Sequence, residues 1–393
     1  KYPNEKKIIL FLQSFRQLHT APNTYGKILK DLNKEFKEFY IVNTDRLEII
    51  FKGNTPKFKK SKFFKNLKLF DPKNLSHLDK FIKNEDCLII NGLSRRLKYF
   101  ALFNYIARKK INQIMISHLG HVQPNSYYYQ GKYRHRINNL FIRTIPHLLH
   151  NIFVMIKLFS KIDIRFISNA KLYDDINSSL FKRKFSYVKN FKLVNSLHYE
   201  EKINKQKPKA KHILLLELPP NYEDVSEITG KFKERDLKEH YKNLNNFLLY
   251  LKSLFRKKVI ISISPKYSLK EAKFRFKKIK IVNRNVQKYI HEAFLIVFYD
   301  SSTILYAIMN KKPIINIKSN LYEKINYKTD HYNKYLNLKE VNISEEFKYS
   351  KIKLMKDLRS RFKYYKYFLN KYLPKNKNSG NNQIIEIIKK EYF

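Results

Sequence analysis

The sequence predicts an α/β protein with two domains, each built on a mainly parallel sheet with helices between its strands. Three observations lead to this prediction. Short apolar runs of strand length alternate with segments whose apolar residues recur at helical spacing. A polar, basic and proline-containing stretch at 201–211 interrupts this alternation, which then resumes. The length of 393 residues suits two or three domains.

The first half carries five strand-like runs separated by helical segments, which is the pattern of βαβ units in a mainly parallel sheet. Helices are expected over 24–36, where Asn23 is a suitable cap, and over 97–109. The predicted strands are 7–12, 39–42, 86–91, 113–117 and 162–168.

The second half repeats the pattern after the interruption. Its predicted strands are 212–218, 258–263, 280–282, 294–298 and 313–317, with helices over 236–255, 286–293 and 303–309. Further helices near 344–372 and 384–391 end the chain. We therefore expect an N-terminal domain over 1–200, a linker at 201–211, a second domain over 212–340, and C-terminal helices in 341–393 that pack back on the N-terminal domain.

The charge is strongly positive, with 81 Lys and Arg against 33 Asp and Glu and a net charge of +48. Lysine, Ile, Asn, Phe and Tyr are abundant and Trp is absent, a composition that AT-rich codons favour. The basic residues are mostly lysines spread over the whole length, whereas nucleic-acid readers use arginine and clustered patches. Nucleic acid is therefore not the expected partner, and the charge suits an anionic membrane surface or a phosphorylated substrate.

No run of about 18 uncharged apolar residues exists, so no spanning helix is expected. The nearest candidate, Leu140–Phe159, contains Arg143, Pro146, His147 and Lys157. It is either an amphipathic surface helix or an ordinary half-buried one. The start, 1–7, runs into a strand and does not resemble a signal peptide. We expect a cytoplasmic protein, with association at the inner membrane face as an option.

Several chemistries are excluded by residues that the sequence lacks. The single cysteine, Cys87, allows no internal disulfide and no cysteine-based zinc cluster, and it lies in an apolar run typical of a core. Neither a G-x-x-x-x-G-K-[ST] loop nor a G-x-G-x-x-G motif is present. His118 and His121 could be two metal ligands, but no third accompanies them. We expect no metal and no cofactor.

The most informative segment runs from Phe298 to Ile315. A buried strand is followed by Ser301, Ser302 and Thr303, and then by a helix. In a parallel sheet, ligands bind beyond the carboxyl ends of the strands, and a helix N-terminus favours an anion. The segment therefore predicts a phosphate or diphosphate site. The alternative is that Ser302 only caps the helix.

This segment resembles the SS/T motif of GT-B-type glycosyltransferases of bacterial surface-polysaccharide biosynthesis, including sialyltransferase and capsule-transferase families. The hydroxyl residues, Ala307 and Lys312-Pro313-Ile314-Ile315 follow in the family's order, and the resemblance covers about 211–320. It implies two Rossmann-like domains facing across a cleft. It also implies metal-independent transfer from a nucleotide-sugar donor to a polysaccharide, lipopolysaccharide or other glycolipid acceptor, with the donor phosphates on Ser301, Ser302 and Thr303.

One position departs from the family pattern. The resembled enzymes carry a strand that ends in His-Pro, and this chain has Ser264, Pro265 and Lys266 there. In the family, that His is implied to contact the donor phosphate or to protonate the leaving group. Serine donates a hydrogen bond but is no general acid near neutral pH. Either the hydrogen bond suffices, another group takes over, or activity is lost. Lys266 either adds positive charge for the donor phosphates or is a solvated lysine.

A base for the acceptor hydroxyl is expected at a strand end of the first domain. His118 and His121 follow a predicted strand, and histidine has a suitable pKa, although both are equally interpreted as surface residues. Other candidates are the carboxylates Glu217, Glu223–Asp224 and, after the second strand, Asp45. The first hypothesis is a glycosyltransferase. The alternatives are a non-catalytic protein that binds nucleotide sugars or polysaccharide intermediates and, third, a nucleic-acid-binding protein.

Overall fold

The computed structural model shows two α/β units, with the N-terminal strands and the last helix in one and the middle of the chain in the other. The residues that it describes are 8–14, 25, 27–48, 65–82, 86–93, 97–116, 145–179, 186–195, 210–217, 232–263, 267–276, 279–283, 285–299, 301, 303–322, 332–333, 335–374 and 379–393.

The first unit is built on seven parallel strands in the order β3-β2-β1-β4-β5-β6-β7. The central strands are continuous apolar runs, as expected for strands covered on both faces. The strands are β1 (Ile8–Gln13), β2 (Phe39–Asn43), β3 (Lys68–Phe70), β4 (Cys87–Asn91), β5 (Asn112–Ile116), β6 (Ile162–Ile167) and β7 (Val188–Leu193).

Helices cover both faces of this sheet. They are α1 (Ile28–Glu35), α2 (Leu75–Ile82), α3 (Phe100–Arg108), α4 (Ile145–Met155), α5 (Ala170–Asn177) and the last helix of the chain, here called αC (Gly380–Tyr392). Side chains of β1 alternate between the faces: Ile9 and Phe11 pack with α1 and αC, whereas Leu10 packs with α2, α3 and α4.

The last helix completes the first unit although it lies at the other end of the sequence. Ile384 and Ile388 are buried in the same core as α1. Lys389 Nζ lies 2.7 Å from a carboxylate oxygen of Glu35. The Gln383 side chain accepts a hydrogen bond from the backbone amide of Asn195 after β7, at 2.9 Å. These contacts fix αC against both α1 and the β7 edge.

The second unit has six parallel strands in the order β10-β9-β8-β11-β12-β13. They are β8 (His212–Leu216), β9 (Lys258–Ser262), β10 (Lys280–Val282), β11 (Ala293–Phe298), β12 (Ile314–Lys318) and β13 (Lys339–Asn342). Its helices are α6 (Glu234–Phe255), α7 (Leu269–Arg275), α8 (Val286–Glu292), α9 (Ile304–Met309), α10 (Lys351–Ser360) and α11 (Phe362–Tyr372).

One core of the second unit lies between the sheet and helices α6, α7 and α10. The buried side of α6 presents apolar residues at helical spacing, Leu237, Leu244, Leu248 and Leu251 among them. Leu354 and Leu358 of α10 are buried in this same core. The segment 341–393 was expected to pack as a whole on the N-terminal domain. Its first helix carries these two leucines into the second core and so belongs to the second unit, whereas αC packs on the first sheet.

The prediction of an α/β protein with two mainly parallel sheets is confirmed. Three strands absent from the sequence prediction, β3, β7 and β13, are edge strands. Each is short or carries lysines, as in Val188–Leu193, because an edge strand needs less apolar surface and benefits from charge. Helix α4 lies within the predicted 140–159 segment. Among the described residues, no helix is long and apolar enough to cross a bilayer.

Candidate functional site

Glu217, Ser301 and Thr303, which the sequence singled out, follow strands of the second sheet at its carboxyl edge. The last residues of β9, β8 and β11 pair at one level, in the order Ser262, Leu216 and Phe298, and Phe298 pairs with Asn316 of β12. The residues that follow therefore lie along one edge, the edge at which parallel sheets bind ligands. Glu217 follows β8 at the centre of this edge. Ser301 and Thr303 follow β11.

Glu217 is a buried carboxyl group, with 7% of its surface exposed. Its backbone amide donates a hydrogen bond to the Ser262 carbonyl at 2.9 Å, which holds it against the end of β9. Within the described part of the chain, its Oε1 atom has no hydrogen-bond partner. Burial raises the pKa of Glu217 to about 8, and the Tyr241 hydroxyl, which favours the carboxylate, offsets only part of this effect. The side chain is therefore a proton donor at neutral pH.

The Tyr241 phenol interacts with this carboxyl group. Burial, and then the negative charge of Glu217, raise the pKa of Tyr241 well above its usual value, so the phenol stays protonated. The Arg275 guanidinium lies 5.3 Å from the centre of the Tyr241 ring. It donates two hydrogen bonds to Glu234, at 2.7 and 2.9 Å. Glu234 therefore balances the charge of Arg275.

Ser301 and Thr303 form a hydroxyl pair at the end of β11. Their side-chain oxygens are 2.7 Å apart, and the Thr303 amide donates to Ser301 Oγ at 3.3 Å. The Ile304 amide donates to the Ser301 carbonyl at 3.1 Å, which starts the turn into α9. Both residues are half-buried, so their hydroxyls are partly open to solvent. The pair thus orders the turn and presents donors at the ligand edge.

Lys312, part of the basic turn in the family pattern, has a structural role. It is 5% exposed, and its Nζ donates to the carbonyls of His291 and Ala293, at 2.6 and 2.9 Å. Burial lowers the pKa of Lys312 to about 8. The residue precedes β12 and joins the end of α8 to the start of β11. It therefore lies at the amino edge of the sheet, opposite Glu217 and Ser301.

His240 belongs to the same region of the second unit but was not singled out from the sequence. Its Nδ1 lies 2.8 Å from the hydroxyl of Ser319, which follows β12. Burial lowers the pKa of His240 to about 3, so the imidazole is neutral at physiological pH. The sequence could have indicated its burial, because His240 follows Leu237 by three residues and so shares the buried face of α6.

Asp45, a weaker base candidate, is fully buried in the first unit. It accepts a hydrogen bond from the Ser14 hydroxyl, and its backbone amide donates to the Asn43 side chain at 3.0 Å. This environment marks Asp45 as part of the turn after β2, because no surface is left for a substrate. Cys87 is likewise buried, in β4.

Several predicted residues lie outside the described residues. They are His118, His121, Glu223–Asp224, Ser264, Pro265, Lys266 and Ser302. The alternative that Ser302 caps α9 concerns one of them, and the described Thr303 at the cap position makes no side-chain cap bond. Among the side chains that the structure does describe, no three His, Cys, Asp or Glu converge as metal ligands.

No protein-family model and no curated protein matches the sequence. Solved structures match along nearly the whole chain. The calicheamicin glycosyltransferase CalG4 has a TM-score of 0.52 at 10% identity, over 98% of this chain and 98% of its own. The wall teichoic acid polymerase TagF has 0.57 at 12% identity, over 99% of this chain and 89% of its own. MnaA of S. aureus, in a co-structure with UDP, has 0.53 at 11% identity, over 98% and 96%.

These likenesses establish the fold. The chain has two Rossmann-like α/β domains of the GT-B type, as the sequence predicted, and it shares this architecture with a glycosyltransferase and a polymerase. Identities of 10–12% carry no substrate over to this chain. The narrower resemblance to sialyltransferases and capsule transferases stays a prediction.

Proposed function

We propose that this protein is a glycosyltransferase that moves a sugar from a nucleotide-activated donor to a surface-polysaccharide or lipopolysaccharide acceptor, without a metal ion. The observation that carries the proposal is Glu217, a buried proton donor at the carboxyl edge of the second sheet. The fold shared with CalG4 and TagF over 98% and 99% of this chain supports the same class of reaction.

In this proposal the donor diphosphate lies at the turn after β11. Ser301, Ser302 and Thr303 donate hydrogen bonds to it through hydroxyl and backbone N–H groups. Ser264, Pro265 and Lys266 follow β9, and β8 lies between β9 and β11. Adjacent strands are about 4.8 Å apart, so the ends of β9 and β11 are about 10 Å apart. Glu217, which follows β8, lies between the strand ends that these two segments follow in the sequence.

Glu217 takes the part that histidine is implied to have in the resembled enzymes. The bond between the sugar anomeric carbon and the diphosphate oxygen breaks, and that oxygen gains negative charge. The protonated Glu217 carboxyl donates a hydrogen bond to the leaving phosphate, which stabilises this charge. Lys266 adds positive charge at the end of β9. Ser264 therefore needs only to donate a hydrogen bond.

The acceptor hydroxyl attacks the anomeric carbon and loses its proton in the same step. We assign the base to His118 or His121, which follow β5 in the first unit, since imidazole is a suitable base near neutral pH. Asp45 is not assigned this role, because it is fully buried and already accepts the Ser14 hydroxyl.

A protein that binds nucleotide sugars without turnover is the second candidate. The observation that favours it is Ser264, which stands where the resembled enzymes have histidine. The two candidates differ in what Glu217 does, because a binding protein needs no proton donor at the leaving group.

The test is release of nucleotide from a panel of uridine, cytidine and guanosine sugar nucleotides, with and without a chelator. We expect turnover of at least one donor, unchanged by the chelator. Glu217→Ala should lower kcat by about 100-fold, within the usual range for an acid–base group, while Glu217→Gln should retain part of the rate by donating a hydrogen bond. Glu346→Gln, at an exposed glutamate, is the matched control. Binding of a donor without turnover would instead identify a binding protein.

A further inference from the structure

Helix α4 presents an exposed apolar face that the proposed function does not use. Leu148, Ile152 and Met155 lie on one side of the helix, at spacings of four and three residues. Leu148 is 58% exposed, Met155 is 61% exposed, and Ile156, which follows the helix, is 59% exposed. Leu158 continues this surface. We call Leu148, Ile152, Met155, Ile156 and Leu158 the α4 apolar face.

The other side of α4 is firmly packed, so the exposure is not that of a detached helix. His150 and Val154 are buried. The His150 ring contacts Phe103 of α3 edge to face, with 5.3 Å between ring centres. Asn104 of α3 donates a hydrogen bond to the Leu158 carbonyl at 3.1 Å. The fold therefore holds the α4 apolar face outward in a fixed orientation.

This concentration of exposed apolar residues is exceptional among the described residues. Twelve large hydrophobic side chains are exposed there, and five of them lie within 148–158. The others, such as Phe274 and Ile352, are scattered over separate helices. Scattered apolar residues are ordinary on a protein surface, whereas a contiguous patch marks an interaction surface.

The sequence around the α4 apolar face is rich in basic residues. From Cys87 to Ile162 the sequence contains no Asp or Glu but twelve Lys and Arg. Lys157 is exposed between Ile156 and Leu158, where the helix ends in a left-handed turn with φ 61°. Arg108, Lys109 and Lys110 are exposed at the end of α3, the helix that packs on α4, and of these Lys109 is paired with Asp79 at 2.7 Å. A partner for this surface must offer both an apolar region that these side chains can enter and negative charge.

We propose that the α4 apolar face docks on a bilayer that contains anionic phospholipid, with the helix in the interfacial plane. Apolar side chains enter the acyl boundary and lysines and arginines meet the headgroups, which is how interfacial helices bind. A second copy of the chain fits less well, because two such faces would bring like charges together. The inference goes beyond the proposed function and does not depend on it.

The chain contains no tryptophan, so the fluorescence of a tryptophan introduced at one position reports on that position alone. Met155→Trp places a single fluorophore in the α4 apolar face, and Ile352→Trp places one on α10, at a residue that is 79% exposed. With vesicles of equal parts phosphatidylcholine and phosphatidylglycerol, we expect the Met155→Trp emission to move to shorter wavelength and that of Ile352→Trp to stay unchanged. Phosphatidylcholine alone should have little effect, and added salt should weaken the response.

A second variant tests whether the face itself drives binding. Ile152→Gln, Met155→Gln and Ile156→Gln together should lower vesicle co-sedimentation at least about 10-fold, because apolar burial drives interfacial binding. Phe274→Gln with Ile352→Gln removes apolar surface elsewhere and should leave binding unchanged. Equal vesicle binding by wild type and the triple variant, with both folded by circular dichroism, would overturn the proposal. So would an emission shift of Met155→Trp that depends on protein concentration and not on lipid, which would identify a second copy.

Discussion

The backbone amide of Glu217 donates a hydrogen bond to the carbonyl of Ser262 at 2.9 Å. This bond extends the ladder between β8 and β9 by one residue beyond the strands. It holds a buried carboxyl group against the end of β9, two residues before Ser264 in the sequence. The burial of Glu217 and of other ionisable groups in this unit determines how its stability responds to pH.

Glu217 should make the protein less stable as the pH rises. Its pKa is raised from 4.5 to about 8, so between these values the folded state binds more protons than the unfolded state. The free energy of unfolding therefore decreases with pH across this window, by up to about 1.4 kcal/mol per pH unit, and the stabilisation is lost above it. Glu217→Gln should remove this slope, measured by urea unfolding at a series of pH values. Glu346→Gln should keep it, and identical slopes in wild type and Glu217→Gln would refute the assignment.

His240 should make the protein less stable as the pH falls. Its pKa is lowered from 6.5 to about 3, so the unfolded state binds more protons between these values. Stability is consequently full above pH 6.5 and falls as the pH drops towards 3. His240→Asn should flatten the acid limb of the stability profile of the second unit. His291→Asn, at a half-buried histidine of the same unit, is the control and should leave the limb intact.

Lys312 should matter for stability and not for donor binding. Lys312→Met removes the donor to two carbonyl groups, and we expect a loss of about 1–3 kcal/mol because these acceptors are left without their partner. Lys311→Met changes the adjacent, exposed lysine and should have little effect. Urea unfolding measures both. A variant at Lys312 with normal stability but weakened nucleotide binding would place this lysine in the ligand site instead.

The last helix should be required for the first unit. Ile388 is fully buried with α1, so Ile388→Ala should cost about 2–5 kcal/mol of unfolding free energy, the usual range for such a truncation in a core. Ile387→Ala, one residue earlier and half-buried, should cost less. If the two variants had equal stability, the packing of αC on the first sheet would be in doubt.

The sequence predicted the central strands of both sheets because buried parallel strands are continuous apolar runs. Edge strands such as β3 escaped prediction, since Lys68, Leu69 and Phe70 have no such pattern. The position of Glu217 at a strand end was predictable for the same reason as the strand. Its raised pKa was not, because that shift comes from burial of the side chain in the folded protein. The structural role of Lys312 could not be predicted from the sequence either, because the fold alone brings the carbonyls of His291 and Ala293 to its amino group.

The central claim is that the carboxyl edge of the second sheet binds the diphosphate of a nucleotide-sugar donor. The most direct measurement is the melting temperature of the full chain with a panel of nucleoside diphosphates and nucleotide sugars, followed by calorimetric titration of the best one. A ligand of the folded state raises the melting temperature by mass action. We expect one nucleoside diphosphate to do so.

Ser301→Ala, Ser302→Ala and Thr303→Val should each weaken binding of this nucleotide about 5-fold, which corresponds to the net free energy of one hydrogen bond. The control Ser360→Ala, at an exposed serine, should leave the affinity unchanged. Failure of every nucleotide to stabilise the protein, or unchanged affinity in all three variants, would contradict the account.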